Sequence, residues 1–352
     1  MKGLKMTALI LCVAVLFFSC DKGKKTDKSA ADKNTKILAS MATDVGGLGD
    51  GSFNDGSFAG LKKAEADGIA DISVIESKQM TDYVPNLTGL AEDGADVVFA
   101  VGFLMADAII ESAQNNPDTA FAGIDIGIDP GTAPDNVVGI LFKEQEAGYL
   151  AGIVAGYMTL KYADKSDKLN DKNVVGCVLG MDIPPCERYE VGFIAGVKSV
   201  NPDCVVLTAV AGDFADQAKG KELTLAMVEQ GADIVFQIAG LTGMGVIYGA
   251  QESGILAIGV DVDQNHFAPD TVITSAMKGI TAASYSIVKM VADGTFKGKQ
   301  NYVFGIADGA VDIAPYYNFD SIIPQDVKDA VAQAKKDIAE GKIVVPATRA
   351  EL

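Results

Sequence analysis

From residue 36 onward, short apolar runs alternate with segments of helical spacing, almost to the end of the chain. The runs that read as strands are 36–43, 71–76, 96–102, 119–125 and 136–142, followed by 173–180, 204–210, 233–240 and 255–261. Between them, 83–92, 106–114, 144–160, 216–230 and 282–292 repeat apolar residues three and four apart, which predicts helices. Continuous apolar runs linked by helices indicate βαβ units and parallel sheets buried on both faces. The expected fold class is α/β, with two Rossmann-like lobes, because the charged stretch 161–172 precedes a second series much like the first. Later strands at 271–277 and 302–307 and an amphipathic helix at 324–340 let the lobes exchange segments across a hinge. The expected division is 36–142 plus about 262–296 for one lobe, and 143–261 plus about 297–352 for the other.

The first 35 residues follow a different pattern. Lys2 and Lys5 precede an apolar run from Met6 to Phe18, then Ser19 and Cys20. A basic start, a short apolar core and a small residue describe a secretory signal over 1–19. That run is too short for a spanning helix, which needs roughly 20 residues. Phe17-Phe18-Ser19-Cys20 resembles a bacterial lipobox in loose form, with Phe17 where leucine is usual. Acylation of Cys20 would place the protein at the cell membrane, facing the periplasm or exterior, on a polar tether over 20–35. Cys12 leaves with the signal, so Cys177, Cys186 and Cys204 remain, either as three buried thiols or with one bridge among them.

Charge and composition remove several classes of function. The chain has 352 residues and a net charge of −18, which becomes −20 once Lys2 and Lys5 are lost. A nucleic-acid binder needs a basic surface, so none is expected. The single histidine, His266, excludes a two- or three-histidine metal site. The only arginines, Arg188 and Arg349, argue against a strongly anionic ligand. Gly240, Gly243 and Gly245 do not match the dinucleotide fingerprint, and no phosphate-binding loop ending in Gly-Lys-Ser/Thr occurs. Neither a cofactor, a metal nor a catalytic set is expected.

In open α/β sheets, ligands bind beyond the carboxyl ends of the strands. Those ends carry Asp44, Asp125 and Asp261, with Gly240 closing the run at 233–240. An aspartate there also serves as a helix cap or turn residue. After Asp44 comes Gly46-Gly47-Leu48-Gly49-Asp50-Gly51-Ser52-Phe53-Asn54, a glycine-rich loop opening a helix. Phe53 beside Asn54 suits a planar polar ring, though a loop phenylalanine can also plug its own lobe.

The stretch Met41–Asn54 resembles the basic membrane protein family of lipoproteins, and more narrowly its spirochaetal purine nucleoside receptors. Val101–Phe103, Phe142–Gly152, Gly192-Phe193-Ile194-Ala195-Gly196 and Ile258–Gln264 match in the same order. The resemblance implies a type I periplasmic-binding-protein fold and a substrate-binding component of an ABC transporter. Carried over by position, it implies that Phe53 and Phe193 stack on the two faces of a purine. Asp44 and Asn54 would bond its edge. Asp125, Asp261 and Lys278 would take the ribose hydroxyls, with Gly240 offering backbone nearby. Asp263 competes with Asp261, Gly243 with Gly240, and Phe193 could instead be a core residue of its helix.

The expected function is therefore a lipid-anchored receptor, not an enzyme, that binds purine nucleosides and delivers them to an ABC permease. A sugar receptor of the same fold is the first alternative, a surface adhesin or sensor the second, and a nucleoside-processing enzyme the last.

Overall fold

A computed structural model describes residues 36–352. The signal, the tether and Cys20 lie outside the described residues. The first lobe begins with β1 (Ile37–Thr43), α1 (Phe53–Ala66), β2 (Ala70–Glu76), α2 (Tyr83–Glu92), β3 (Val97–Val101), α3 (Ala106–Asn115), β4 (Ala120–Ile124) and β5 (Val137–Phe142). The second follows with α4 (Glu144–Met158), β6 (Val174–Leu179), α5 (Pro184–Val200), β7 (Val205–Val210), α6 (Gln217–Glu229), β8 (Ala232–Ile238), α7 (Gly240–Ser253), β9 (Leu256–Asp261) and β10 (Val272–Lys278). Then come α8 (Ile280–Ala292), β11 (Gln300–Phe304), β12 (Val311–Ile313) and α9 (Gln325–Ala339).

The strands form two six-stranded sheets, ordered β11-β5-β4-β3-β1-β2 and β12-β10-β9-β8-β6-β7. Every pairing is parallel except β12 against β10. Central strands such as β3 (VVFAV) and β6 (VVGCVL) are buried along their whole length, which is why they read as unbroken apolar runs. Edge strands β2 and β7 are mostly half-buried or exposed and lack that signature. The two sheets repeat one topology, so β4 and β9 hold equivalent places.

The chain crosses between lobes three times, after Phe142, after Lys278 and after Phe304. The second and third of these points differ from the expected boundaries. β10 pairs with β9, so 262–278 belongs to the second lobe, whereas β11 pairs with β5 and returns 300–304 to the first. α8 packs on α1 and stays with the first lobe. A buried strand has the same apolar pattern in either sheet, and only pairing assigns it.

One family-like motif turns out to be packing. α4 and α5 lie backbone to backbone, and a β-carbon on Gly192 or Gly196 would collide with the carbonyl oxygens of Gln145 or Tyr149. The spacing of four puts both glycines on one helix face. That contact turns Phe193, with no exposure, into the core of the second lobe, where its ring lies 5.2 Å from that of Phe236.

Candidate functional site

The carboxyl ends of both sheets converge on one cleft. Loops after β1, β3 and β4 line it from the first lobe, and those after β6, β7, β8, β9 and β10 from the second. It holds about 580 Å³ of space between atoms, its mouth included.

On the first lobe, the loop after β1 is organised by Asp50. Its carboxylate accepts the backbone N–H groups of Ser52, Asn54 and Asp55 at 3.0, 2.8 and 3.1 Å, satisfying donors at the start of α1. The Asn54 amide donates to Asp44 at 2.9 Å and to Asp50 at 3.2 Å, which commits both its N–H groups. Its Oδ1 is buried and has no partner among the described residues. Phe53 is the first residue of α1 rather than part of the loop, so the helix fixes its position beside this amide. Burial pushes the Asp44 carboxyl upward, opposed by its bonds from Asn54 and Gly46.

A charge cluster fills the other side. Lys278, at the end of β10, places Nζ 2.6 Å from Asp125 Oδ2, 3.3 Å from Glu144 Oε1 and 3.7 Å from Asp261 Oδ1. Glu144 in turn accepts from Arg188 Nε at 2.6 Å. Asp261 Oδ2 accepts from Ser52 Oγ at 2.6 Å, a bond between lobes, as is Asp125–Lys278. Burial raises the Asp125 carboxyl to about 7, with Lys278 the main opposing influence. Burial alone would depress Lys278, but the three carboxylates outweigh it and hold the ammonium charged. Asp125 Oδ1 is buried and has no partner among the described residues.

Asp125 and Asp261 share an uncommon backbone. Their φ angles are 60° and 65°, at equivalent strand ends of the two lobes. Left-handed conformations cost non-glycine residues about 1–3 kcal/mol and concentrate at functional sites. Here the conformation turns both carboxylates toward the same ammonium.

Asp44, Phe53, Asn54, Asp125, Gly240, Asp261 and Lys278 thus all line the cleft. Phe193 does not: the close contact of α4 with α5 puts it in the core, and the cleft is lined instead by Tyr189, one turn earlier on α5. Asp263 bonds the Tyr317 hydroxyl and the Asn265 N–H away from the cleft, so Asp261 is the carboxylate that faces it. Gly243 packs against the Gln237 side chain, which leaves Gly240 as the lining glycine. Cys177, Cys186 and Cys204 are free buried thiols. Burial raises Cys186, which lines the cleft, to about 12, so it stays protonated.

Sequence reasoning missed Phe214, Phe103, Tyr189 and Glu144. Phe214 lies four residues beyond β7, past the strand-end positions that drew attention, yet the same strand-end rule covers it. Of the aromatics that the second lobe adds to the lining, Tyr189 is fully enclosed and its hydroxyl reaches Ala276 O at 3.3 Å, while Phe214 is half-buried.

Comparison with known proteins gives a consistent result. Residues 37–349 match the family model for Bmp, described as ABC transporter substrate-binding protein PnrA-like. A Lactococcus lactis protein named ABC transporter nucleoside-binding protein BmpA is 30% identical, over 97% of each chain. An uncharacterized lipoprotein of Pyrococcus abyssi is 31% identical, over 96% of this chain and 85% of its own. An ABC transporter solute-binding protein from Aeropyrum pernix K1 superimposes with a TM-score of 0.81 at 26% identity, over 89% of this chain and 95% of that one. The lobes and crossings are those of a type I periplasmic binding protein. The chain belongs to the Bmp family of PnrA-like ABC transporter substrate-binding proteins, which are binding proteins and not enzymes.

Proposed function

We propose that the cleft binds a purine nucleoside and that closure of the two lobes traps it for delivery to an ABC permease. The observation that carries this reading is the division of the cleft's polar groups. Asp44 and Asn54 form one set, and the Phe53 ring, adjacent in sequence to Asn54, has its centre 4.8 Å from the Lys278 ammonium. Asp125, Lys278 and Asp261 form another. A base edge with donors and acceptors suits the first set. A ribose diol suits the second, since carboxylates accept from hydroxyls and an ammonium donates to them. Phe53 from one lobe and Phe214 from the other supply the stacking faces, with Phe214 in the role that the resemblance gave to Phe193. The name of the Lactococcus lactis relative supports the same ligand class.

Charge separates nucleosides from nucleotides. Four carboxylates and a single ammonium are among the lining residues. Guanosine is expected to bind at least about tenfold better than guanosine 5′-monophosphate by calorimetry, a gap of about 1.4 kcal/mol. Equal affinities would contradict the reading. Incubation with inosine should release neither base nor ribose.

Membrane attachment belongs to the same proposal. Among the described residues, no helix is long and apolar enough to cross a membrane. The lipobox-like sequence ending in Cys20, and the lipoprotein name of the Pyrococcus abyssi relative, support an acyl anchor. Cys20→Ser is expected to abolish palmitate incorporation and partitioning into detergent; continued labelling would contradict the anchor.

A further inference from the structure

We propose that Glu144 sets the discrimination of this site against phosphorylated ligands, by engaging both Lys278 and Arg188, the side-chain cations that could receive a phosphate. The inference rests on the nucleoside reading above and assigns a residue to its selectivity. Lys278 is the one cation among the residues lining the cleft. The next is Arg188, adjacent in sequence to the lining residue Tyr189. Glu144 engages both, with Oε1 3.3 Å from Lys278 Nζ and Oε2 2.6 Å from Arg188 Nε, and its side chain has no exposure. It is also the first residue of α4, so its carboxylate takes the positive end of a 15-residue helix. A helix N-terminus next to an ammonium and a guanidinium would otherwise make an anion site.

The remaining basic groups of this region do not compensate. Arg349 is held by Asp182 at 2.7 Å and Glu190 at 2.6 Å. Lys143 pairs with Glu146 at 3.4 Å with its side chain 45% exposed, and is not part of the lining. With every carboxyl ionised, Asp125, Asp261 and Glu144 together outnumber Lys278 and Arg188 by one charge. Glu144→Gln cancels that excess while stranding no buried cation. Lys278 keeps Asp125 at 2.6 Å, and the Arg188 side chain is 21% exposed and reaches water. Glu144 therefore acts on the ligand through Lys278 and Arg188, as a positioning residue.

The test is calorimetric titration of wild type, Glu144→Gln and Glu144→Asp with guanosine, guanosine 5′-monophosphate and inorganic phosphate. In Glu144→Gln, the preference for guanosine over the monophosphate is expected to narrow by at least about tenfold. The monophosphate should bind more tightly in absolute terms, and inorganic phosphate should gain affinity in parallel. Glu144→Asp keeps the charge and should retain most of the wild-type preference. An unchanged ratio, or a parallel loss of guanosine and its monophosphate, would overturn the proposal. Wild type that binds no nucleoside would instead refute the nucleoside reading, and the phosphate titrations would still read the effect of Glu144. If Glu144→Gln does not fold, Arg188→Gln decides: removing a cation while Glu144 remains should weaken the monophosphate further and spare guanosine. Unchanged or tighter monophosphate binding in that variant would overturn the proposal.

Discussion

Phe193→Ala is expected to destabilise the ligand-free protein by about 3–5 kcal/mol, the usual cost of truncating a buried phenylalanine. The ring is fully enclosed in the core of the second lobe, 5.2 Å from that of Phe236. Phe214→Ala should do the opposite. Its ring is half-buried at the cleft, so the melting temperature without ligand should stay near wild type. Nucleoside binding should weaken by about 1–3 kcal/mol, the value of stacking one base on one aromatic ring. Phe53→Ala should behave like Phe214→Ala. Ligand-free melting curves and titrations on the three variants separate the roles. A stable Phe193→Ala protein with lost affinity would return that ring to the site.

The error over Phe193 shows where sequence reading stops. The strands were legible because parallel β3, β6, β8 and β9 are buried on both faces and leave continuous apolar runs. Asp44, Asp125 and Asp261 were legible because strand ends mark the ligand side of the sheet. Phe193 sits between Gly192 and Gly196, and that pattern carries no sign of whether the helix face meets a ligand or another helix. The lobe of β10 and β11 was equally hidden, because partner choice is a long-range property. Glu144 lies within the Phe142–Gly152 stretch, but its link to Lys278 spans 134 positions and exists only in the fold.

Lys278→Met carries the other large effect. The substitution keeps the side chain's reach and removes the charge from between Asp125, Glu144 and Asp261. Breaking a buried pair by removing one partner costs about 3–5 kcal/mol, since the other charge stays buried. Glu144 retains Arg188, so the penalty falls mainly on Asp125. The Asp125 carboxyl already stands at about 7 with Lys278 beside it, and loss of the ammonium raises it further. A carboxyl whose folded pKa exceeds its unfolded value, about 4 for aspartate, binds more protons when folded. Stability from this group therefore falls as pH rises between those two values. Below about pH 7 Asp125 is protonated in the folded protein with or without Lys278, so the deficit of Lys278→Met from this group should be small there and grow above pH 7. Adding Asp125→Asn should recover part of it at pH 8. Melting curves at pH 5 and pH 8 check the sign; an equal deficit at both would contradict the assignment to Asp125. Nucleoside binding should also fall, because Lys278 is the only cationic donor among the lining residues.

On the proposed function, the cleft recognises a base and a ribose together. Both polar sets, Asp44–Asn54 and Asp125–Lys278–Asp261, are then needed for full affinity. Calorimetric titration of ligand-stripped protein with adenosine, guanosine, inosine and free ribose tests this directly. At least one purine nucleoside should bind one-to-one, and ribose should bind at least about a hundredfold more weakly, a gap of about 2.7 kcal/mol. Ribose binding as tightly as the nucleosides, or no binding of any purine nucleoside, would contradict it.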